Sequence, residues 1–362
     1  MQRLTMVVVA VVAIMFMMIG YGRSMSVRTA SIRYTITDLG DLPGGLDHSH
    51  ATAINNVGMV VGYSGSHAGT RAFIWQVETG MVDLGVLDGM EFSRADGIND
   101  LGQVVGESFG PYVGHASLWQ SSKRIVDLGA LPQFSGNSHA WDINNAGQVV
   151  GQSSTESGKR AFVWQDGQGL IDLGTAENGS ETTVAKSINN LGEVAGVSTL
   201  STHHPFGWNR AIVWNLGDKL DSRQAVLDGV TGGAASAIND SGQVVGTMTS
   251  HRGESVAFLW SNDAGVQELG HLSNFFSNNS SEALGINSNG QIVGWSSLKG
   301  GVGAFIWDRK NGLRNLSDLI DPELGWTLRS ANDINDDGYI IGYGHNGNTK
   351  HGFLLSPIRV AN

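Results

Sequence analysis

The run "DINDDGYIIG", residues 333–342, is the stretch of this sequence that decides the fold. Its first six residues read D-x-N-x-D-G, which is how an EF-hand calcium loop begins. That loop also needs a Glu at its twelfth position, where this chain has Gly344. The run has six relatives elsewhere in the chain, and the first Asp is Ala, Gly or Ser in five of the seven copies. The pattern therefore predicts a repeated structural element and not a calcium site.

All seven copies keep an Asn, two variable residues and a Gly, and each ends in a second Gly. They are AINNVGMVVG (53–62), GINDLGQVVG (97–106), DINNAGQVVG (142–151), SINNLGEVAG (187–196), AINDSGQVVG (237–246), GINSNGQIVG (285–294) and DINDDGYIIG (333–342). An Asn side chain accepts hydrogen bonds within a tight turn, and Gly takes the positive φ that such a turn requires. Each unit of 44–50 residues is thus predicted to contain a hairpin.

The rest of each unit reads as further strands. An Ala stands four residues before every Asn, a third segment such as RAFIW (71–75) follows the hairpin, and a fourth such as MVDLG (81–85) comes after a polar turn. Short alternating runs bounded by Gly and polar residues are typical of strands. Four strands in each of seven units predict an all-β protein, a seven-bladed β-propeller with four antiparallel strands per blade.

The two ends of the repeat array predict how the ring closes. The segment YTITDLG (34–40) precedes the first hairpin, and no such segment follows the last third segment, HGFLL (351–355). An N-terminal strand (34–40) can therefore complete the last blade and leave no open edge. The alanines are expected on the strand nearest the axis, and the Trp that ends six of the third segments is expected between blades. An open β-solenoid is the alternative, but it does not account for the displaced strand.

These motifs resemble the HAF-repeat family of predicted extracellular proteins, whose pattern is A-x-x-I-N-x-x-G-x-V-V-G, then H-A-F-x-W, then D-L-G. The resemblance covers roughly residues 34–355. One unit has KLDSRQAVLDG (219–229) in place of D-L-G, and the family's His is mostly replaced. The residues in that slot are Arg71, His115, Arg160, Arg210, Val256, Gly303 and His351. The resemblance implies secretion and a repeat β-fold, and it implies no activity.

Composition excludes several classes of function. There are 22 Lys+Arg against 33 Asp+Glu, for a formal net charge of −11, whereas phosphate backbones and anionic membrane surfaces attract basic proteins. Nucleic acid is therefore not expected as a partner. The absence of Cys excludes disulfides, thiolate metal sites and Cys nucleophiles. No cofactor is predicted, and a monomer is expected.

Residues 1–30 differ from the rest of the chain. Arg3 is followed by an apolar run over residues 6–19. Fourteen residues are too few for a spanning helix, which needs about 20, but they suit the apolar region of a secretory signal peptide. Three arginines follow the run, so an uncleaved N-terminal anchor is the alternative, and no other membrane contact is expected. The predicted organisation is a signal peptide or anchor over 1–30 and the propeller over 31–362, located outside the cell or in its envelope.

Candidate binding residues lie at one end of the predicted ring. The turns after the first and third strands are short, so the long, variable connections share the opposite end, where binding residues usually occur. The residue before each alanine should ring the channel entrance there, and four of the seven are ionisable or aromatic: His50, Arg94, His139 and Glu282. Loop candidates are Trp326 and an insertion, STHHPFGWN (201–209), with His203, His204, Phe206 and Trp208.

These features favour a secreted or surface-exposed binding or scaffold propeller without catalytic activity, whose ligand is a carbohydrate or a surface protein. A funnel-site enzyme acting on a glycan and a purely structural envelope protein are the alternatives. The run GESFG (106–110) matches G-x-S-x-G, but a nucleophile elbow needs a strand-to-helix turn. No third ligand accompanies the paired His residues. No catalytic residue and no metal ligand is therefore assigned, and the question of an enzyme stays open.

Overall fold

The computed structural model describes residues 33–45, 47–121, 124–132, 136–156, 158–175, 180–200, 209–217, 222–273 and 279–358. This part of the chain forms 28 strands in seven four-stranded antiparallel sheets. The predicted seven-bladed β-propeller is therefore confirmed. The predicted signal peptide or anchor, residues 1–30, lies outside the described residues. No helix in the described ranges has the length and apolar character needed to cross a membrane.

Blades 1 to 6 follow one plan, in which four strands are hydrogen-bonded in chain order from the axis outward, and blade 7 differs only in its fourth strand. The innermost strands are β2 (Ser49–Ile54), β6 (Phe92–Ile98), β10 (Ser138–Ile143), β14 (Ser180–Ile188), β18 (Ala234–Ile238), β22 (Ser281–Ile286) and β26 (Trp326–Ile334). The second strands are β3 (Val60–Ser66), β7 (Val104–Phe109), β11 (Val149–Thr155), β15 (Glu193–Leu200), β19 (Val244–Thr249), β23 (Ile292–Leu298) and β27 (Ile340–Asn346). We number the blades 1 to 7 in this order.

The outer half of each blade continues the pattern. The third strands are β4 (Gly69–Gln76), β8 (Gly114–Ser121), β12 (Gly158–Gln165), β16 (Asn209–Leu216), β20 (Ser255–Ser261), β24 (Gly301–Asp308) and β28 (Thr349–Pro357). The fourth strands of blades 1 to 6 are β5 (Gly80–Asp83), β9 (Arg124–Gly129), β13 (Gly169–Asp172), β17 (Ser222–Val226), β21 (Gly265–Gly270) and β25 (Gly312–Asn315). Two short 3-10 helices, Leu316–Leu319 and Pro322–Leu324, connect blade 6 to blade 7.

The ring closes as the sequence predicts. The fourth strand of blade 7 is β1 (Tyr34–Asp38), which pairs antiparallel with β28 from Tyr34 opposite Pro357 to Asp38 opposite Phe353. The first strand of the chain thus completes the last blade, so that blade presents no unpaired third strand.

The repeated hairpin turn does two jobs. In blade 3, the Oδ1 atom of Asn144 accepts from the backbone N–H of Ala146 at 3.1 Å and of Gln148 at 3.0 Å, while Gly147 takes φ 76°. This is the predicted turn. The Nδ2 atom of the same side chain also donates to the Asn189 carbonyl of blade 4 at 3.1 Å. Every blade makes the equivalent bond, and the seven form a closed circle through Asn55, Asn99, Asn144, Asn189, Asn239, Asn287 and Asn335.

Close packing between blades explains the other repeated residues. The seven alanines of the innermost strands are buried, and a Cβ on the second Gly of blade 3, Gly151, would lie 2.1 Å from the His139 carbonyl oxygen. The third-segment Trp residues pack between neighbouring blades as predicted; Trp214 of blade 4 is buried and donates from Nε1 to the Leu173 carbonyl that follows blade 3. Buried serines link blades as well, since Ser138 Oγ of blade 3 accepts from the Ala116 N–H of blade 2.

Candidate functional site at the mouth of the ring

The end of the ring where the innermost strands begin carries the long connections from each fourth strand to the next blade, and we call it the mouth. The connections from second to third strand also lie there, but in blades 1, 6 and 7 they are two-residue turns and not the long loops that the sequence predicts. In each innermost strand the residue before the alanine lies at this end. The residue two positions later is the extra residue of a β-bulge. The bulge leaves that second residue without a partner on the neighbouring strand, as with Lys186 between Ala185 and Ser187. Both positions are therefore free to present side chains that the sheet does not need.

Three blades contribute to a cluster of charged side chains at the mouth. His139 of blade 3 is almost fully buried, with 4% of its side chain exposed, and its Nε2 lies 2.9 Å from Oδ2 of Asp96 in blade 2. Its Nδ1 lies 3.2 Å from Oε2 of Glu107 and 2.7 Å from Nη2 of Arg94. Burial alone lowers the pKa of His139, but the Asp96 charge and the hydrogen bonds to Asp96 and Glu107 outweigh it and raise the pKa. The two carboxylates therefore favour the protonated imidazole, and the Arg94 charge opposes it.

Trp141 extends this cluster toward blade 4. Its ring stacks on His139 with centroids 4.0 Å apart and an interplanar angle of 19°. The Lys186 ammonium lies 3.2 Å from the centroid of the same indole, a distance at which the ring quadrupole attracts a cation. Burial lowers the pKa of Lys186 to about 8, with Lys159 and Arg94 acting in the same direction and Asp96 and Glu282 opposing it. Lys186 is thus within electrostatic reach of blades 2, 3 and 6.

His50 of blade 1 lies among tyrosines. Its ring stacks on Tyr63 at 5.0 Å and approaches Tyr343 of blade 7 at 4.3 Å. Lys350 covers Tyr343, with the ammonium 4.7 Å from the ring centroid. Burial, assisted by the positive charge of Lys350, lowers the pKa of His50 to about 4. At neutral pH this imidazole is therefore uncharged.

Glu282 of blade 6 is a half-buried carboxylate at the same level. It accepts from Trp295 Nε1 at 3.2 Å and from Ser236 Oγ of blade 5 at 3.5 Å. Burial raises the pKa of Glu282, although the two hydrogen bonds and the Lys186 charge oppose the shift. Within the described residues, no group of three or more His, Cys, Asp or Glu side chains is arranged to hold a metal ion.

The structure brings His50, Arg94, His139 and Glu282 to the mouth, as expected from their position before the alanine. The repeat pattern did not indicate the residues beside them. Three follow the alanine on the innermost strands (Asp96, Trp141, Lys186), and four lie opposite on the second strands (Tyr63, Glu107, Trp295, Tyr343). Period-two alternation along the strand would have indicated the first set, and antiparallel register the second.

Other candidates fall elsewhere. Trp326 packs edge-on against the buried Phe353 of its own blade, with centroids 6.3 Å apart, so it stabilises blade 7. Ser108, in the G-x-S-x-G match, is fully buried on β7 and accepts from the Leu87 N–H, which is a structural role. The remaining loop candidates, His203, His204, Phe206 and Trp208, lie outside the described residues.

Solved structures share this fold at low sequence identity. Puromycin hydrolase is 14% identical with a TM-score of 0.57, and the alignment covers 84% of this chain and 51% of that one. The β-propeller domain of the Trilobed protease from Pyrococcus furiosus is 8% identical with a TM-score of 0.56, covering 87% and 96%. The acylaminoacyl peptidase of Pyrococcus horikoshii is 9% identical with a TM-score of 0.51, covering 86% and 52%. This chain thus spans about half the length of the two complete hydrolases, and the likeness concerns the fold alone.

Sequence comparison places the chain in a family. None of the curated proteins matches it. A family model described as "Protein of unknown function (DUF3466)" matches residues 159–353, which is more than half of the chain and runs from blade 3 to blade 7. The chain therefore belongs to the DUF3466 family.

Proposed function

We propose that this chain is an exported binding module without catalytic activity, and that the mouth of its propeller binds a carbohydrate. The observation that carries the proposal is the convergence at the mouth of half-buried charged and aromatic side chains from six of the seven blades. They are His50, Tyr63, Arg94, Asp96, Glu107, Trp141, Lys186, Glu282, Trp295 and Tyr343, with the buried His139 among them.

The fold does not require this chemistry. At the position before the alanine, blade 4 has Val184, blade 5 has Ala234 and blade 7 has Ser330, and all three innermost strands form the same ladder as the others. Desolvating a charged group costs free energy unless the group is paired. A fold that accepts these residues has no structural need for Arg94 at that position, or for Asp96 and Lys186 two positions later, where other blades have Thr52, Ser236 and Leu284. This supports a role in binding.

The mixture of groups favours a sugar over other ligands. Binding sites combine apolar and aromatic surface with a few polar groups that fix orientation. A saccharide offers apolar C–H faces to indole and phenol rings and hydroxyls to charged groups such as Glu282 and Arg94. The net charge of −11 disfavours a polyphosphate. The apolar run over residues 6–19 supports export. An exported propeller would meet glycans outside the cell, which also favours a carbohydrate ligand.

The test is binding of the protein comprising residues 31–362 to a panel of oligosaccharides, with the length of each glycan measured afterwards. Trp295→Ala should weaken binding at least about tenfold, since aromatic anchors carry much of the energy at binding sites. Tyr112→Ala is the matched control, because Tyr112 is 95% exposed on the loop 110–113 and its loss should leave both stability and affinity unchanged.

Three other results would each refute the proposal. Shortened glycan would identify a funnel-site enzyme. Glu282, whose pKa is raised by burial, would then be the candidate general acid. Affinity that depends on Tyr112 and not on Trp295 would place the site on the loops. No binding to any glycan would favour a protein partner or a purely structural role in the envelope.

A further inference from the structure

Lys186 is the feature of the mouth that the fold explains least. It lies at the unpaired position of the bulge in β14, where the other blades have Thr52, Asp96, Trp141, Ser236, Leu284 and Asn332. None of these residue types recurs, so backbone geometry does not select the side chain. The sheet therefore does not explain why this position has a lysine in blade 4.

The ammonium group of Lys186 has no hydrogen-bond acceptor and no ion-pair partner within the described residues. The ammonium lies against the face of Trp141, which attracts a cation but is not an oxygen acceptor for its three N–H donors. The neighbouring acids are engaged elsewhere, Asp96 and Glu107 with His139, and Glu282 with Trp295. The head group is therefore half-buried, charged and unpaired.

Two further donors in the same cluster make no hydrogen bond in the described part of the chain. They are Nε of Arg94, which lies 3.6 Å from Asp96 Oδ2, and the indole Nε1 of Trp141, and both atoms are buried. Buried polar atoms normally have partners, and exceptions mark functional sites or bound molecules. The blade 2 to blade 4 side of the mouth is thus short of acceptors, which is the complement of an acceptor-rich ligand.

From this imbalance we propose that the ligand is an acidic sugar, and that Lys186 binds the carboxylate of a uronic acid residue. The inference rests on the carbohydrate function proposed above and names its substrate class. The carboxylate would take the open side of the ammonium, opposite Trp141, while the sugar ring lies toward Trp295 and Glu282 of blade 6. A carboxylate supplies only hydrogen-bond acceptors, so it satisfies these donors more completely than a neutral hydroxyl would.

The experiment compares trimers of galacturonic, glucuronic and mannuronic acid with their methyl esters, which keep the shape of each sugar and remove its charge. At least one acid should bind about tenfold or more tightly than its ester, the scale of a hydrogen bond to a charged group. Lys186→Met should abolish that ratio and leave the affinity for the ester unchanged. Lys310→Met removes the same charge from an exposed turn at the opposite end and should change neither affinity.

A second measurement does not depend on any variant folding. In the wild-type protein, affinity for the acid should fall as the pH rises through about 8, where Lys186 loses its proton in a field set by Asp96, Glu282, Lys159 and Arg94. Affinity for the ester should not change over the same range. This readout distinguishes recognition of charge from a purely steric role of the side chain.

The outcomes separate the two proposals. Equal affinity for acid and ester, in the wild type and in Lys186→Met, would overturn the acidic-sugar inference and leave the carbohydrate function standing. Binding of neither form, with binding of an acidic peptide instead, would overturn both.

Discussion

The circle of asparagines predicts a specific cost for changing one of them. Asn144 is buried and makes four side-chain hydrogen bonds, two accepted from the backbone N–H of Ala146 and Gln148 and two donated, to the Asn189 carbonyl and to Gln148 Oε1. At a net value of about 0.5–1 kcal/mol each, Asn144→Ala should lower the free energy of unfolding by about 2–4 kcal/mol. The turn bonds and the bond between blades contribute comparable shares of this loss.

Asn144→Asp separates these two contributions. Aspartate keeps the acceptor that the turn uses, and Asp is a favourable turn residue. It cannot donate, so its second oxygen would face the Asn189 carbonyl across the blade interface in a buried position. If the bond between blades matters, the Asp variant should be at least as destabilised as the Ala variant. If Asn144 only makes the turn, the Asp variant should lose less than about 1 kcal/mol.

Urea unfolding at 25 °C, followed by circular dichroism and by tryptophan fluorescence, measures these differences when the two transitions coincide. Asn145→Ala is the control, since this neighbour is exposed and its bonds to Asp100 lie in solvent. It should cost less than about 1 kcal/mol. An Asp variant as stable as the wild type, beside a strongly destabilised Ala variant, would refute the claim that the circle holds the blades together.

Three further predictions follow from the fold. Gly106→Ala should cost about 3 kcal/mol in urea unfolding, because its Cβ would lie 2.1 Å from the Arg94 carbonyl, while Gly110→Ala, with no atom within 4 Å, should cost almost nothing; equal effects would contradict this account. Burial raises the pKa of Asp333 to about 7 from 3.8. Between these pH values the carboxyl is protonated in the folded state and ionised in the unfolded state, so the free energy of unfolding falls as the pH rises toward 7. Asp333→Asn should therefore flatten the fall in melting temperature between pH 4 and 7 in a thermal shift assay, and an unchanged slope would exclude Asp333 as the titrating group. A protein beginning at residue 41 lacks Tyr34–Asp38 and should melt lower and self-associate through the exposed β28 edge in size-exclusion chromatography, whereas a monomer with wild-type melting would show that the closing strand is dispensable.

The propeller could be predicted because its determinants are local and repeated. A turn residue such as Asn189, a close-packed Gly and an alternating strand each leave a mark in the sequence, and seven copies make the mark clear. The bond from Asn189 to the Asn239 carbonyl could not be predicted in this way. It joins residues 50 positions apart, and the need for it appears only when the ring is closed. Local turn chemistry already gave a sufficient reason for the Asn, so nothing in the sequence called for a second role.

The mouth was predicted only in part for a related reason. His50 and His139 were found because each precedes an invariant alanine, which serves as a marker. Trp141 and Lys186 occupy the bulge position, where no two blades have the same residue and the repeat gives no signal. The role of Glu107 depends on the register between β6 and β7, which places it opposite Arg94. Residues that vary from blade to blade are invisible to an analysis of repeats, although they are the ones that distinguish one propeller from another.

The two ends of the ring therefore differ in what they can do. At the short-turn end, a cavity of about 190 Å³ lies on the axis, lined by Ile and Asn residues of the repeated turns. The repeated asparagines there use Oδ1 on their own turn and donate from Nδ2 to the carbonyl of the next blade. Changing that end means breaking the circle. At the mouth the backbone ladder holds the strands, and side chains such as Lys186 add nothing to it. Substitution of such a half-exposed side chain should cost little stability, so the mouth is where a binding function can arise without loss of the fold. The unpaired ammonium of Lys186 is the observation that the proposed binding function would explain.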